Sequence, residues 1–120
     1  LTNILRDIDE DAERDRLYLP ADLLSTHGIE ETANLAIVME DPAIRYVCEI
    51  LAGLAERHFQ QALSLIGSCE RNAVRPAIMM LQVYHRVLKK LFKFGWTPPR
   101  RRISLSSMAK FRVMFRYGVF

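Results

Sequence analysis

With 120 residues, half of them apolar and 26% charged, and with only five glycines and five prolines, the chain has the composition of one folded domain and not of a disordered segment. Its two cysteines fit neither a disulfide framework nor a CxxC spacing, and its longest apolar runs fall far short of the ~20 residues that cross a bilayer. The net charge of +3 conceals a split: residues 1–70 hold all fourteen acids against five Lys or Arg, and residues 71–120 hold twelve Lys or Arg and no acid. Such a split points to an acidic site at one end and an anion-seeking or membrane-facing surface at the other.

Residues 1–15 lack Gly and Pro and predict one helix, ending near Tyr18-Leu19-Pro20. A short helix over 20–26 is stopped by Gly28, and residues 30–39 form another. Asp41-Pro42 supplies a capping carboxylate and a first-turn proline for a long helix. In it Tyr46, Val47, Ile50, Leu51, Leu54, Ala55, Phe59, Ala62 and Leu65 follow 3/4 spacing, and Gly67 closes it. A further helix over about 75–94 turns Ile78, Leu81, Val83, Tyr84, Val87, Leu88 and Leu91 inward and ends at Gly95. Paired prolines hold the following stretch extended, with weak strand alternation over 102–105 alone. Ser106 or Ser107 then caps a last helix, "MAKFRVMFRYGVF". Long helices joined by short turns make the fold class all-α, an antiparallel helical bundle. Cys48 and Cys69 are read as structural thiols of a reducing compartment.

The first turns, "NILRDIDEDAERDRLYLP", concentrate six acids in positions 1–15 with Arg6, Arg14 and Arg16 interleaved. An EF-hand loop starting at Asp7 needs Gly at its sixth and Glu at its twelfth position, where Ala12 and Tyr18 stand. A solvated helix end with acids paired to Arg one turn away accounts for most such stretches. Here, however, Asn3, Asp7 and Asp11 fall at i, i+4 and i+8 on one helix face, with Asp9 on the opposite side. Two carboxylates and an amide oxygen so spaced suit Mg²⁺, which takes few protein carboxylates together with phosphates and water. The neighbouring arginines suit a diphosphate.

The same stretch closely resembles the second aspartate-rich motif of the squalene and phytoene synthase family, the head-to-head prenyl transferases. That pattern, N-I-x-R-D-x-x-E-D followed by R-x-Y-L-P, is met by Asn3, Ile4, Arg6, Asp7, Glu10, Asp11, Arg16, Tyr18, Leu19 and Pro20. "LAERHFQQA" and "VYHRVLKKLFKFGWTPPRRRISLSSMAKF" resemble the family's later helices and tail, and the Pro-Pro-Arg-Arg-Arg segment is most similar to bacterial presqualene diphosphate synthases of hopanoid pathways.

The resemblance implies the all-α isoprenoid synthase fold and a Mg²⁺-dependent transferase that joins two prenyl diphosphates, here farnesyl diphosphate, head-to-head to presqualene diphosphate or squalene. It makes Asn3, Asp7 and Asp11 metal ligands, Glu10 a helper, and Arg6, Arg16 and Tyr84 diphosphate contacts, with NADPH serving a reductive second step in some members. Ile50, Leu54, Ile78 and Leu81 are candidate walls of the prenyl cavity. Alternatives are condensation of geranylgeranyl diphosphate, as in phytoene synthases, and a non-catalytic assembly or binding role. The family's first aspartate-rich motif and catalytic tyrosine precede this motif, so residues 1–120 are expected to be the C-terminal portion of one synthase domain, inactive alone and prone to homo-oligomerise. A cytoplasmic location with peripheral contact on the inner membrane face is expected, since the basic, aromatic stretch after residue 100 can lie on anionic lipid. Nucleic acid is the rival ligand for such a stretch and is not expected. His27, His58 and His85 share no zinc-ligand spacing.

Overall fold

A computed structural model describes residues 1–30, 34–100 and 102–118. Seven helices occupy them: α1 (Thr2–Arg6), α2 (Ile8–Glu13), α3 (Ala21–Thr26), α4 (Leu35–Glu40), α5 (Ile44–Gly67), α6 (Arg71–Phe94) and α7 (Ser107–Gly118). No strand occurs among the described residues, and 102–105 lies in extended chain without strand pairing. The all-α expectation holds.

α5 and α6, 24 residues each, form an antiparallel hairpin through the short turn at Ser68–Glu70. One end is packed. There α1 lies against both long helices, α3 and α4 against α5, α2 against α4, and α7 against α6. The core runs through Leu5, Leu24, Ile44, Val47, Cys48 and Leu88, each no more than 1% exposed. The other end of the hairpin is bare, and none of residues 56–84 is buried. Ile78, Leu81, Val83 and Tyr84, expected inward, are therefore only half-buried, while Val87, Leu88 and Leu91 are buried as expected. On α5 the buried stripe is Ile44, Val47, Cys48, Leu51, Ala52 and Ala55; Tyr46, Ile50 and Leu65 from the same spacing stand exposed. The radius of gyration, 16.5 Å, exceeds the ~13.5 Å typical of a compact chain of this length.

Local chemistry explains the helix ends. Gly28 takes φ +74° and closes α3 with paired bonds, Gly28 N–H to the Ser25 carbonyl and Ile29 N–H to that of Leu24. Gly95 ends α6 at φ +70°. α2 closes in the same paired manner at Asp15, φ +55°, where an aspartate holds a place more often given to glycine. The helix expected over 30–39 starts at Leu35, because the Asn34 side chain caps Ala36 N–H; Glu31 to Ala33 lie outside the described residues. Asp41 folds a turn onto Ala43 N–H ahead of α5, so that helix begins at Ile44. α6 begins at Arg71, a turn earlier than expected, and carries Pro76 within it. The Ser106 hydroxyl accepts from Ala109 N–H and caps α7.

Of the two cysteines, only Cys48 is a structural thiol. Its burial pushes the thiol up to about 12, whereas Cys69 is exposed in the α5–α6 turn. Iodoacetamide should therefore alkylate one thiol of the native chain, Cys69, and both only after denaturation, as intact-mass measurement would show.

Candidate functional site

The single helix expected over residues 1–15 is two short ones with Asp7 between them, at φ −108° and ψ 15°. The interruption has a visible cause: the indole Nε1 of buried Trp96 donates to the Leu5 carbonyl at 3.1 Å, and a side chain inserted into a helix ladder bends it. The bend leaves the spacing intact. Asp7 N–H still donates to the Asn3 carbonyl at 3.0 Å and Asp11 N–H to that of Asp7 at 2.8 Å, so Asn3, Asp7 and Asp11 follow one another turn by turn along one face.

The acids of the two faces have different partners. The Asp7 carboxylate accepts both Nε (2.7 Å) and Nη2 (2.8 Å) of Arg6, and this pair holds it below the usual carboxylate range. Asp11 is half-buried and, among the described residues, its side chain has no hydrogen-bond or ion-pair partner. On the opposite face Asp9 is gripped by Arg100, whose guanidinium also donates to the Met39 carbonyl at 2.9 Å and the Trp96 carbonyl at 3.4 Å. Glu10, expected as a metal helper, instead pairs with Arg102 at 3.1 Å. The Arg100-Arg101-Arg102 run is thus not a free basic surface: Arg100 is buried by its side chain and Arg102 faces the acidic helix, and Arg101 lies outside the described residues.

Beside α1 a groove of about 560 Å³ opens between α5 and α6, lined mainly by apolar side chains including Phe59, Ala62, Met80 and Leu81. Asn3 and Tyr84 lend it polar groups. Tyr84 is also near enough to the Arg6 guanidinium to interact with it, which links the groove to the Arg6–Asp7 pair. Of the expected cavity walls only Leu81 lines it; Ile50 is 46% exposed, and Leu54 and Ile78 are half-buried elsewhere. Phe59 and Ala62 do line it, and both were visible in the helical spacing of α5. Arg16 does not join the site: it is exposed just past the end of α2 and lines neither this groove nor the small one at Arg6 and Arg100.

The oxygen donors are the hard type that Mg²⁺ takes, and the depressed Asp7 carboxyl keeps one of them ionised. Among the described residues no three His, Cys, Asp or Glu side chains form a group that could hold a metal ion. The histidines stand apart: His27 bonds the Leu23 carbonyl, His58 lines the groove, and buried His85 stacks on Phe59 and hydrogen-bonds Glu56 at 2.8 Å. Burial alone would raise the Glu56 carboxyl, but hydrogen bonds from Gln60 and His85 outweigh it and hold it low.

The sequence profile of squalene/phytoene synthases matches residues 1–109, a span that takes in the acidic face, the groove and the start of α7. The chain belongs to the squalene/phytoene synthase family. It is 37% identical over 99% of its length to a presqualene diphosphate synthase of Rhodopseudomonas palustris, and 35% identical over 99% to one of Sinorhizobium fredii. A phytoene synthase of Thermus thermophilus is 38% identical over 89% of the chain. The chain spans 42%, 42% and 36% of these three proteins. Within that stretch Asp7 is paired with Arg6, Asp9 and Glu10 are tied to Arg100 and Arg102, and Asp11 has no partner among the described residues. No helix among the described residues is long and apolar enough to cross a membrane.

Proposed function

We propose that this chain is the C-terminal part of a head-to-head prenyl diphosphate synthase, and that α1 and α2 present one side of a two-sided Mg²⁺–diphosphate clamp. The supporting observation is that Asn3, the first residue of the Asn3-Asp7-Asp11 face, lines an apolar groove of about 560 Å³ that carries Tyr84, with the Arg6–Asp7 pair one turn further along the chain. Asp7 and Asp11 would hold the metal through carboxylate oxygens and Asn3 through its amide oxygen. When bound, Mg²⁺ neutralises the departing diphosphate and eases ionisation of the prenyl group. Arg6, now closed on Asp7, is placed to turn to phosphate oxygens once Asp7 is engaged, and Tyr84 to donate to them. The apolar walls keep water from the prenyl cation until the double bond of a second molecule attacks it.

Farnesyl diphosphate as donor and presqualene diphosphate or squalene as product are proposed because the presqualene diphosphate synthases match nearly the whole chain. The phytoene-type condensation of geranylgeranyl diphosphate is the second reading, favoured by the 38% identity to the Thermus thermophilus protein. NADPH would serve only a reductive second step. The bare half of the hairpin and the large radius of gyration support a bundle completed by further chain, or by a second copy when the piece stands alone. A non-catalytic binding role is disfavoured by the intact acidic face. A cytoplasmic location is part of the same proposal.

Titration calorimetry tests the clamp. Farnesyl diphosphate should bind the isolated chain only when Mg²⁺ is present, and no prenyl product should accumulate on incubation. Binding indifferent to Mg²⁺ would remove the clamp, and turnover would show that residues 1–120 suffice.

A further inference from the structure

We propose that the outward face of α7, with Arg86 of α6, docks the protein on an anionic lipid bilayer. α7 is fastened to the rest of the protein by Val113, which is fully buried, with Ala109 beside it. At about 100° per residue, Phe111 and Phe115 lie about 160° from Val113, on the side facing away from the core. Met108 and Met114 extend that sector to about 120° in width. These four are 71% (Met108), 67% (Phe111), 54% (Met114) and 55% (Phe115) exposed. Lys110 borders the sector on one side, and Arg112 and Arg116 border it on the other. Phenylalanines and methionines between cations are the arrangement of a helix lying in a membrane interface: the apolar sector enters the acyl boundary and the cations stay at headgroup depth.

Charge selects the occupant. Residues 71–120 contain no acid, and among the described residues Arg86, Arg112 and Arg116 have no carboxylate partner. Together with Phe111 and Phe115 they line a groove of about 470 Å³ between α6 and α7. Three guanidiniums without a carboxylate among the described residues, above two aromatic rings, match a headgroup phosphate above acyl chains. In a symmetric contact a second copy of this chain would bring another basic face to the same place, and like charges repel. Since no helix among the described residues can span a bilayer, the contact is with the surface. The docking does not rest on the prenyl-transfer reading.

The test is co-sedimentation of the chain with phosphatidylcholine vesicles, with and without phosphatidylglycerol. Binding is expected only to the vesicles with phosphatidylglycerol and should weaken as salt is raised. Arg112→Ala with Arg116→Ala should lower it about thirtyfold. Phe111→Ser with Phe115→Ser should lower it about tenfold or more while leaving the circular dichroism and thermal midpoint unchanged. Equal binding to neutral vesicles, or no binding, overturns the proposal. So does full displacement by millimolar inorganic phosphate, which would mark a free-anion site. A change from dimer to monomer in the phenylalanine variant without loss of vesicle binding would overturn it too, marking the face as an interface between copies.

Discussion

Arg100→Ala should destabilise the chain by about 3 kcal/mol, lowering the thermal midpoint by about 10 °C or more. The Arg100 side chain is only 7% exposed and ties its own segment, where it also meets the Trp96 carbonyl at 3.4 Å, to two segments distant in sequence: Asp9 of α2 at 2.8 Å and the Met39 carbonyl near the end of α4 at 2.9 Å. Removing the guanidinium leaves two carbonyls without their donor and a carboxylate without its counter-ion. It also deletes the packing of the side chain stem. Arg102→Ala is the internal control: that side chain is 78% exposed and its single pair with Glu10 is a surface contact, so its loss should be worth about 0.5 kcal/mol or less. Arg100→Lys should fall between them, since an ammonium keeps the charge but cannot reproduce the planar fork. Thermal melts of the three variants decide it. Equal losses at positions 100 and 102 would refute the assignment of Arg100 as the link between α2 and α4.

What the sequence disclosed was local. Gly28, Gly95, Ser106 and the 3/4 spacing of α5 and α6 act within a turn or two, and each was found where its local chemistry predicts. The Asn3-Asp7-Asp11 face was legible for the same reason, as i, i+4 spacing survives a bend that keeps its hydrogen bonds. The break at Asp7 was not, because it follows from a bond that Trp96 donates to the Leu5 carbonyl, 91 positions earlier in the chain. Nor could three consecutive arginines be told apart. They carry no periodicity, yet Arg100 is buried in the fold and Arg102 faces solvent, and the partners that separate them are Asp9, Met39 and Glu10. Spacing also marks a stripe as apolar without saying what covers it. Tyr46, Ile50 and Leu65 follow the pattern and still stand exposed, Tyr46 even with the His27 ring stacked against it. Cys69 was misread because exposure in a turn leaves no trace in cysteine spacing.

The two acidic faces allow a double dissociation, and it bears most directly on the proposed clamp. In a complete synthase that contains this chain, Asp7→Asn should lower kcat/KM about 10²–10³-fold, the scale seen when one preorganised charge-stabilising group is removed. Its effect on stability should stay near 0.5 kcal/mol, because the Arg6–Asp7 pair joins adjacent residues that are 30% and 25% exposed in their side chains. Asp9→Asn should do the reverse. It weakens the grip of Arg100 on α2 and lowers the thermal midpoint, while the rate per folded molecule and its Mg²⁺ dependence hold. Asp11→Asn should resemble Asp7→Asn in rate and be still milder in stability, since no described group pairs with it. Raising Mg²⁺ should partly restore the Asp7 and Asp11 variants, as a weakened ligand set saturates at higher metal concentration, and should do nothing for Asp9→Asn. If Asp7→Asn and Asp9→Asn lowered stability alike and left the rate per folded molecule unchanged, the acidic stretch would be a charged helix end with no part in holding diphosphate.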